Sequence, residues 1–290
     1  MKKLLNLFCV ALIAVSAMFV SCSSDSNNGD DSAGGPLDTP KYESSSALYN
    51  ITDANSAYKS IEFTASGNYV ITKNTGSRAA APTFISPIDA TRSVTYQNII
   101  YGTYTKNGDT YVLDGFGTIT VKGGANNAVS LDITTTDGTQ ITVGAQPQAQ
   151  YSSSTKTNML CRTWIFSKIR VSGSYQGTSF DRTFNTYEEY DKEMRGGDGG
   201  SVYPQQVIFT KSGTYVVFYT NGMLAVSTWK WDNEEAGTAR YSWNYESLND
   251  PSKSGTINIA FEGSQLLITE SVSGGQGTTI SVVYYLVEVQ

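Results

Sequence analysis

The chain has 290 residues, enough for two domains that each bury a core of their own. Charged residues make up only 16% of it, against about 25% in an average soluble protein, and the formal net charge of -6 comes with no cluster of Lys and Arg, which sets aside a nucleic-acid partner. Histidine is absent, and with it go serine and cysteine triads, imidazole-ligated zinc and histidine proton shuttles; Gly (27) and Tyr (19) are abundant, as in a turn-rich all-β protein.

The first segment has the layout of an export signal: Lys2 and Lys3 precede an apolar run over 4–20, and Ser21 and Cys22 close it. That run is at or below the roughly 17 to 25 residues that cross a bilayer, and its far flank is acidic, so the expectation is a cleaved signal over 1–21 and not a membrane span. Phe19-Val20-Ser21-Cys22 resembles the lipobox of bacterial lipoproteins, departing from it at Phe19, where Leu is usual. In that family the cysteine becomes the first mature residue and carries the acyl chains, palmitate among them. The resemblance therefore implies lipidation of Cys22 and anchoring of the protein in the outer membrane.

The polar run 23–31 resembles the acidic export tether of Bacteroidetes-type surface lipoproteins, with Ser26 to Gly29 interrupting its acids. Either the periplasmic face or the cell surface would suit such an anchor. Residues 22–41 are too polar to bury anything and are expected to act as a flexible tether, with a span of about 25 Å by chain statistics. Cys9 leaves with the signal and Cys22 is the lipid site, so Cys161 has no disulfide partner. With no imidazole to activate it, Cys161 is expected to be a small buried hydrophobe opening an apolar strand beside Trp164.

A first β-domain is expected over 42–145, with strands at 61–63, 69–72, 99–104, 110–113, 117–121, 128–134 and 139–143 and a glycine at nearly every break. The stretch 73–98 has two prolines and no period. It fits an insertion or lid, or a loop for proteolytic processing at Arg78. Residues 146–158 are polar and form the linker.

The second domain, 159–290, offers strands at 161–171, 174–184, 205–209, 214–220, 223–231, 238–245, 255–261, 265–270 and 278–289. One helix stands out. Thr186 and Glu189 make a capping box, Tyr187, Tyr190 and Met194 share a face, and Gly196-Gly197 ends it. Its acids Glu188, Asp191 and Glu193 are expected on a solvated face and not around a metal. The glycine-rich 196–200 lacks the Lys-Ser of a phosphate loop, and no calcium-loop spacing occurs, so neither cofactor nor metal is expected.

The two domains are related. Phe63, Thr64, Ser66, Gly67, Tyr69 and Val70 match Phe209, Thr210, Ser212, Gly213, Tyr215 and Val216 at constant spacing. Around Asn221-Gly222 two hairpin registers compete, and a one-residue slip turns every side chain over. A three-residue loop with Gly222 as a left-handed bulge groups Tyr215, Val217 and Tyr219 with Met223, Ala225, Trp229 and Trp231, and is preferred because it gathers the aromatics.

The run 209–215, followed by Ser227-Thr228-Trp229-Lys230-Trp231 and preceded by Arg162-Thr163-Trp164, resembles the lipocalin-like domains of Bacteroidetes lipoproteins; the first domain resembles them less, with Gly102-Thr103-Tyr104 in place of the Thr-Trp element. The resemblance implies two small antiparallel β-barrel or sandwich domains and a small apolar or glycan ligand. The four Trp, at 164, 229, 231 and 243, all lie in the second domain and either fill its core or line a site. Trp229, Trp231, Tyr215 and Tyr219 are the ligand-binding candidates, with Trp229 inside and Trp231 at the mouth. The expected function is a non-enzymatic, lipid-anchored envelope protein that binds such a ligand or scaffolds a partner. Two alternatives stand beside it: an adhesin or pilus-like subunit joined by strand exchange at open sheet edges, and a carboxylate glycosidase using Asp232, Glu234 and Glu235.

Overall fold

The computed structural model describes residues 42–74, 99–124, 127–175, 178–195, 203–222, 224–242, 254–273 and 279–289. The signal, the tether with Cys22, segment 75–98, Met223, Trp243, Tyr245 and the Gly196-Gly197 helix stop lie outside the described residues. Residues 40–290 form one compact unit, and its strands close into two eight-stranded antiparallel barrels.

The first barrel runs β1 (Ala47–Ile51), β2 (Tyr58–Phe63), β3 (Asn68–Lys73), β4 (Ile99–Asn107), β5 (Thr110–Leu113), β6 (Gly117–Gly123), β7 (Val129–Thr135) and β8 (Gln140–Pro147). Each strand pairs with the next, and β8 returns to β1 through Asn50↔Gln146 and its neighbours. Alternation sends Ile61, Phe63, Tyr69 and Ile71 inward to meet Tyr104, Tyr111, Ile119, Leu131 and Ile133. Phe63 stacks on Tyr111 at 3.7 Å between centroids, with Tyr104 edge-on at 5.1 Å. The strand that completes the ring, β1, is missing from the sequence reading because its alternation is weak: only Tyr49 and Ile51 lean on this core, and both are half-buried.

In the second barrel, a short helix α1 (Thr155–Leu160) leads into β9 (Thr163–Tyr175), followed by β10 (Thr178–Phe184), α2 (Tyr187–Tyr190) and a π-helical turn, Asp191–Arg195. Then come β11 (Pro204–Phe209), β12 (Thr214–Tyr219), β13 (Leu224–Asn233), β14 (Thr238–Ser242), β15 (Ser254–Glu262), β16 (Gln265–Ser273) and β17 (Thr279–Glu288). The ring is β9 with β11 to β17, closed by β17 along β9 from Thr279↔Ser174 to Glu288↔Trp164. On its other edge β9 pairs first with β11, at Thr163↔Ile208, and further along with β10, from Ile169↔Phe184 to Tyr175↔Thr178. β10 thereby satisfies backbone groups that β9 would expose where it parts from β11. The open sheet edges behind the strand-exchange alternative are gone from both rings. Among the described strands, only the outer side of β10 is left.

Three expectations need correcting. Part of the presumed linker is α1, N-capped by Ser154, whose hydroxyl accepts from the Thr157 N–H at 3.1 Å. Cys161 does not open a strand: it is the C-cap of α1 and half-buried. The capping box of α2 is present, with Thr186 accepting from the Glu189 N–H at 3.1 Å, but the π-helical turn that follows adds a residue to the turn. With that extra residue per turn Met194 faces out, at 40% exposure, and Asp191 in, at 1%, while Glu188 and Glu193 remain exposed.

The repeat is a structural one. In each copy a tight turn is closed by the same bonds: Thr64 N–H to Asn68 O at 2.8 Å and Gly67 N–H to Thr64 O at 3.2 Å, against Thr210 N–H to Thr214 O at 2.9 Å and Gly213 N–H to Thr210 O at 3.2 Å. Gly67 and Gly213 have φ of 80° and 85°, where a Cβ is strained. Tyr104 then donates its hydroxyl to Thr64 O at 2.8 Å, and Trp229 donates its indole N–H to Thr210 O at 3.1 Å. Different side chains thus tie the same turn to the wall of each barrel. In the 207–231 hairpin, Val217 pairs with Ala225, Gly222 has φ 78° and its N–H reaches Tyr219 O at 3.0 Å. That is the register with the three-residue loop, which puts Tyr215, Val217, Ala225 and Trp229 on the inner face.

Candidate functional site

The four aromatic candidates do not form one platform. Tyr215 and Trp229 are core: Trp229 is 0% exposed, edge-on to Phe209 at 5.8 Å and to Tyr151 at 5.1 Å. Trp231 is half-buried, with its ring edge-on to Trp229 at 5.5 Å and its indole N–H donated to Thr157 Oγ1 of α1 at 2.9 Å. Tyr219 is half-buried at the far end of the same hairpin, about 26 Å from Trp231 at a strand's usual rise. Alternation identifies which aromatics face inward. That α1 covers Trp231 depends on the packing of a segment with no apolar period.

The acids of the glycosidase alternative have other partners. Asp232 pairs with Arg240 at 2.9 Å. Glu234 accepts from the Ser154 hydroxyl, from Thr157 N–H at 3.1 Å and from Thr157 Oγ1 at 2.8 Å, and these bonds hold its carboxyl below the ordinary range. From its half-buried place in the turn after β13 it anchors the N-terminus of α1. Glu235 offers only its backbone carbonyl, to Lys156 Nζ at 2.5 Å. Among the described residues no three of His, Cys, Asp and Glu gather to hold a metal.

Besides Asp191, two further acids are buried, and neither is among the sequence candidates. Inside the second barrel Glu270 accepts from the Tyr241 hydroxyl at 3.0 Å and from the Tyr284 hydroxyl at 3.3 Å. Burial pushes its carboxyl up to about 8, although both hydroxyls pull the other way. The plug beside this group is aromatic: Tyr187 of α2 stacks on Tyr203 at 5.1 Å, and Tyr190 meets Phe184 at 5.6 Å. The available signal was an acid on the inward parity of β16, in line with Leu266 and Ile268.

The second buried acid, Glu62, lies where the barrels meet. There Val70 of β3 packs with Val216 and Val226, joined by Ile99, Leu224 and an edge-on pair of Tyr101 and Phe218 at 5.0 Å. Val70 and Val216 are equivalent residues of the repeat, so each barrel offers its partner the same outer face. Ser46 and Ser212 bond across this seam, Oγ to Oγ at 2.8 Å, and the Ser212 N–H donates to Ser46 Oγ at 3.0 Å.

A cleft of 470 Å³ opens beside the seam. Its lining comes from 44–46 and 64–66 of the first barrel and from Asn158, 161–163, 208–211, Glu288 and Val289 of the second. Arg162 pairs with Glu288 at 2.6 Å on its border, and Lys211 Nζ bonds Ser153 Oγ at 3.0 Å. Ser45 Oγ is buried there without a partner. A smaller recess of 220 Å³ lies between β9 and the start of α2. The cleft thus offers hydroxyls and two cations but a single carboxylate, an arrangement that can bind a polar ligand and does not hold the carboxylate pair of a glycosidase.

No protein-family profile matches the chain, and no curated protein matches it. Among solved structures, the isotype 1 transferrin binding protein B of serogroup B Neisseria meningitidis is similar over 83% of this chain and 55% of that one, at 9% identity and a TM-score of 0.26. The chain spans about half the length of that protein. A likeness at this level transfers no residue and no role.

Proposed function

We propose that this protein is a non-enzymatic binding or scaffolding protein of the cell envelope, lipid-anchored to the outer membrane through Cys22, that takes its ligand in the cleft between its barrels. The observation that carries this reading is the filling of both barrels. A lipocalin-like cup needs a void, whereas these interiors are occupied by Phe63, Tyr104 and Tyr111 in one ring and by Phe209, Tyr215, Trp229 and Tyr284 in the other, all at most 2% exposed. The cleft sets the hydroxyls of Ser and Thr and the side chains of Asn158, Arg162 and Lys211 beside apolar Ala65, Ile208, Phe209 and Val289, a mixed lining that suits a glycan, whose hydroxyls need donors and acceptors and whose ring faces need apolar contact.

Calorimetric titration with neutral and acidic oligosaccharides and with fatty acids tests the ligand class. Ala65 is exposed on the cleft, so Ala65→Trp should block glycan binding with the melting temperature unchanged. Binding of fatty acid that survives Ala65→Trp would move the site elsewhere and refute the reading. For the anchor, Cys22→Ala should abolish palmitate labelling and release the protein from the membrane pellet; an unlabelled, soluble wild type would remove that part.

A further inference from the structure

Glu62 sits on β2 between Ile61 and Phe63, whose side chains fill the first barrel, so its own points outward, and it is 1% exposed. Neither carboxyl oxygen has a hydrogen-bond partner. The hydroxyls of Thr210, Ser212 and Thr214 face it from the other barrel, yet none reaches it in hydrogen-bonding geometry, and Thr214 Oγ1 is itself unpaired. No cation answers it among the described residues. Lys211 is bonded to Ser153, Lys59 of its own strand is exposed, and the Cys161 thiol, pushed up to about 12 mainly by burial, stays neutral. The matching position in the second copy, at the constant spacing of the repeat, is Ile208, which is also buried. An apolar residue is at home there, and a charged one is not.

We propose that the seam is a proton-operated latch: neutral Glu62 lets the two barrels close on each other, and its ionisation loosens them. Burial raises the carboxyl from 4.5 to about 7, with the three facing hydroxyls opposing. An acid whose pKa is raised in the docked state holds its proton more tightly there. Docking is therefore strongest below the ordinary carboxylate pKa, weakens as pH rises, and has lost its full contribution above about 7. The docked-to-undocked ratio changes by roughly a few hundredfold across that window.

Amide hydrogen exchange of the full mature chain, corrected for intrinsic rates, reads the latch at Ser212, whose N–H bonds Ser46 across the seam. Between pH 5 and 8 the protection of Ser212 should fall at least tenfold relative to that of Ile268 in the core of the same barrel. Glu62→Gln and Glu62→Ile should keep the acid-level protection at pH 8, while Glu270→Gln should leave the wild-type profile as it is. A pH-independent Ser212 in the wild type would overturn the proposal, as would a profile unchanged in either Glu62 variant or one abolished by Glu270→Gln. Should Glu62→Gln fail to fold, Glu62→Ile and the wild-type profile still decide the matter.

Discussion

Trp229 and Tyr104 show what one position demands of a residue: a large ring for the barrel interior and a polar hydrogen for the carbonyl of the adjacent turn. Indole and phenol both meet it. Trp229→Ala should therefore cost about 3–5 kcal/mol by urea denaturation, and Trp231→Ala, half-buried, less than half of that. Glu270 adds a pH dependence. Its carboxyl is raised to about 8 in the folded protein, so the neutral form stabilises the fold. That stability is fully present below the ordinary carboxylate pKa, declines as pH rises, and is lost above about 8. Glu270→Gln should flatten this decline, as measured by thermal melts between pH 5 and 9. The inward aromatics were legible because alternation alone sets their face. The burial of Glu62 and Glu270 was not, because what buries them comes from strands distant in sequence: Thr210, Ser212 and Thr214 for one, Tyr241 and Tyr284 for the other.

At the scale of elements, turns carrying Gly were the easiest to read, since Gly67, Gly213 and Gly222 all take the left-handed conformation that the pattern requires. The 221–222 hairpin was legible down to its register. Elements held by remote partners were hidden. The six residues of α1 are too few to form a helix alone, and its start is held by Glu234, 77 residues from Thr157. Glu234→Ala should raise protease cleavage within 148–161 several-fold while the unfolding midpoint of the barrels moves little, as followed by timed digestion and mass spectrometry. The π-helical turn was equally hidden: the apolar spacing of Tyr187, Tyr190 and Met194 is that of an ordinary helix, and one additional residue in the turn exchanges Met194 for Asp191.

For the whole molecule, the sequence carried the all-β class, the two-fold repetition and the barrel architecture, but not the closure of the first ring, which needed β1, nor the seam, which requires knowing which outward faces are covered. Both copies of the turn line the cleft at that seam, and the two faces differ where Glu62 stands for Ile208. The ring of the second barrel also sets an order of events. β9, its first strand, cannot complete its pairing until β17, its last, arrives more than a hundred residues later. In a chain that is made amino end first, the first barrel can finish while the second still waits with both flanks of its sheet bare. Such long-range closure is slow and exposes edges to neighbouring chains. The interval before β17 joins is then the time at which this protein most needs protection from its own copies.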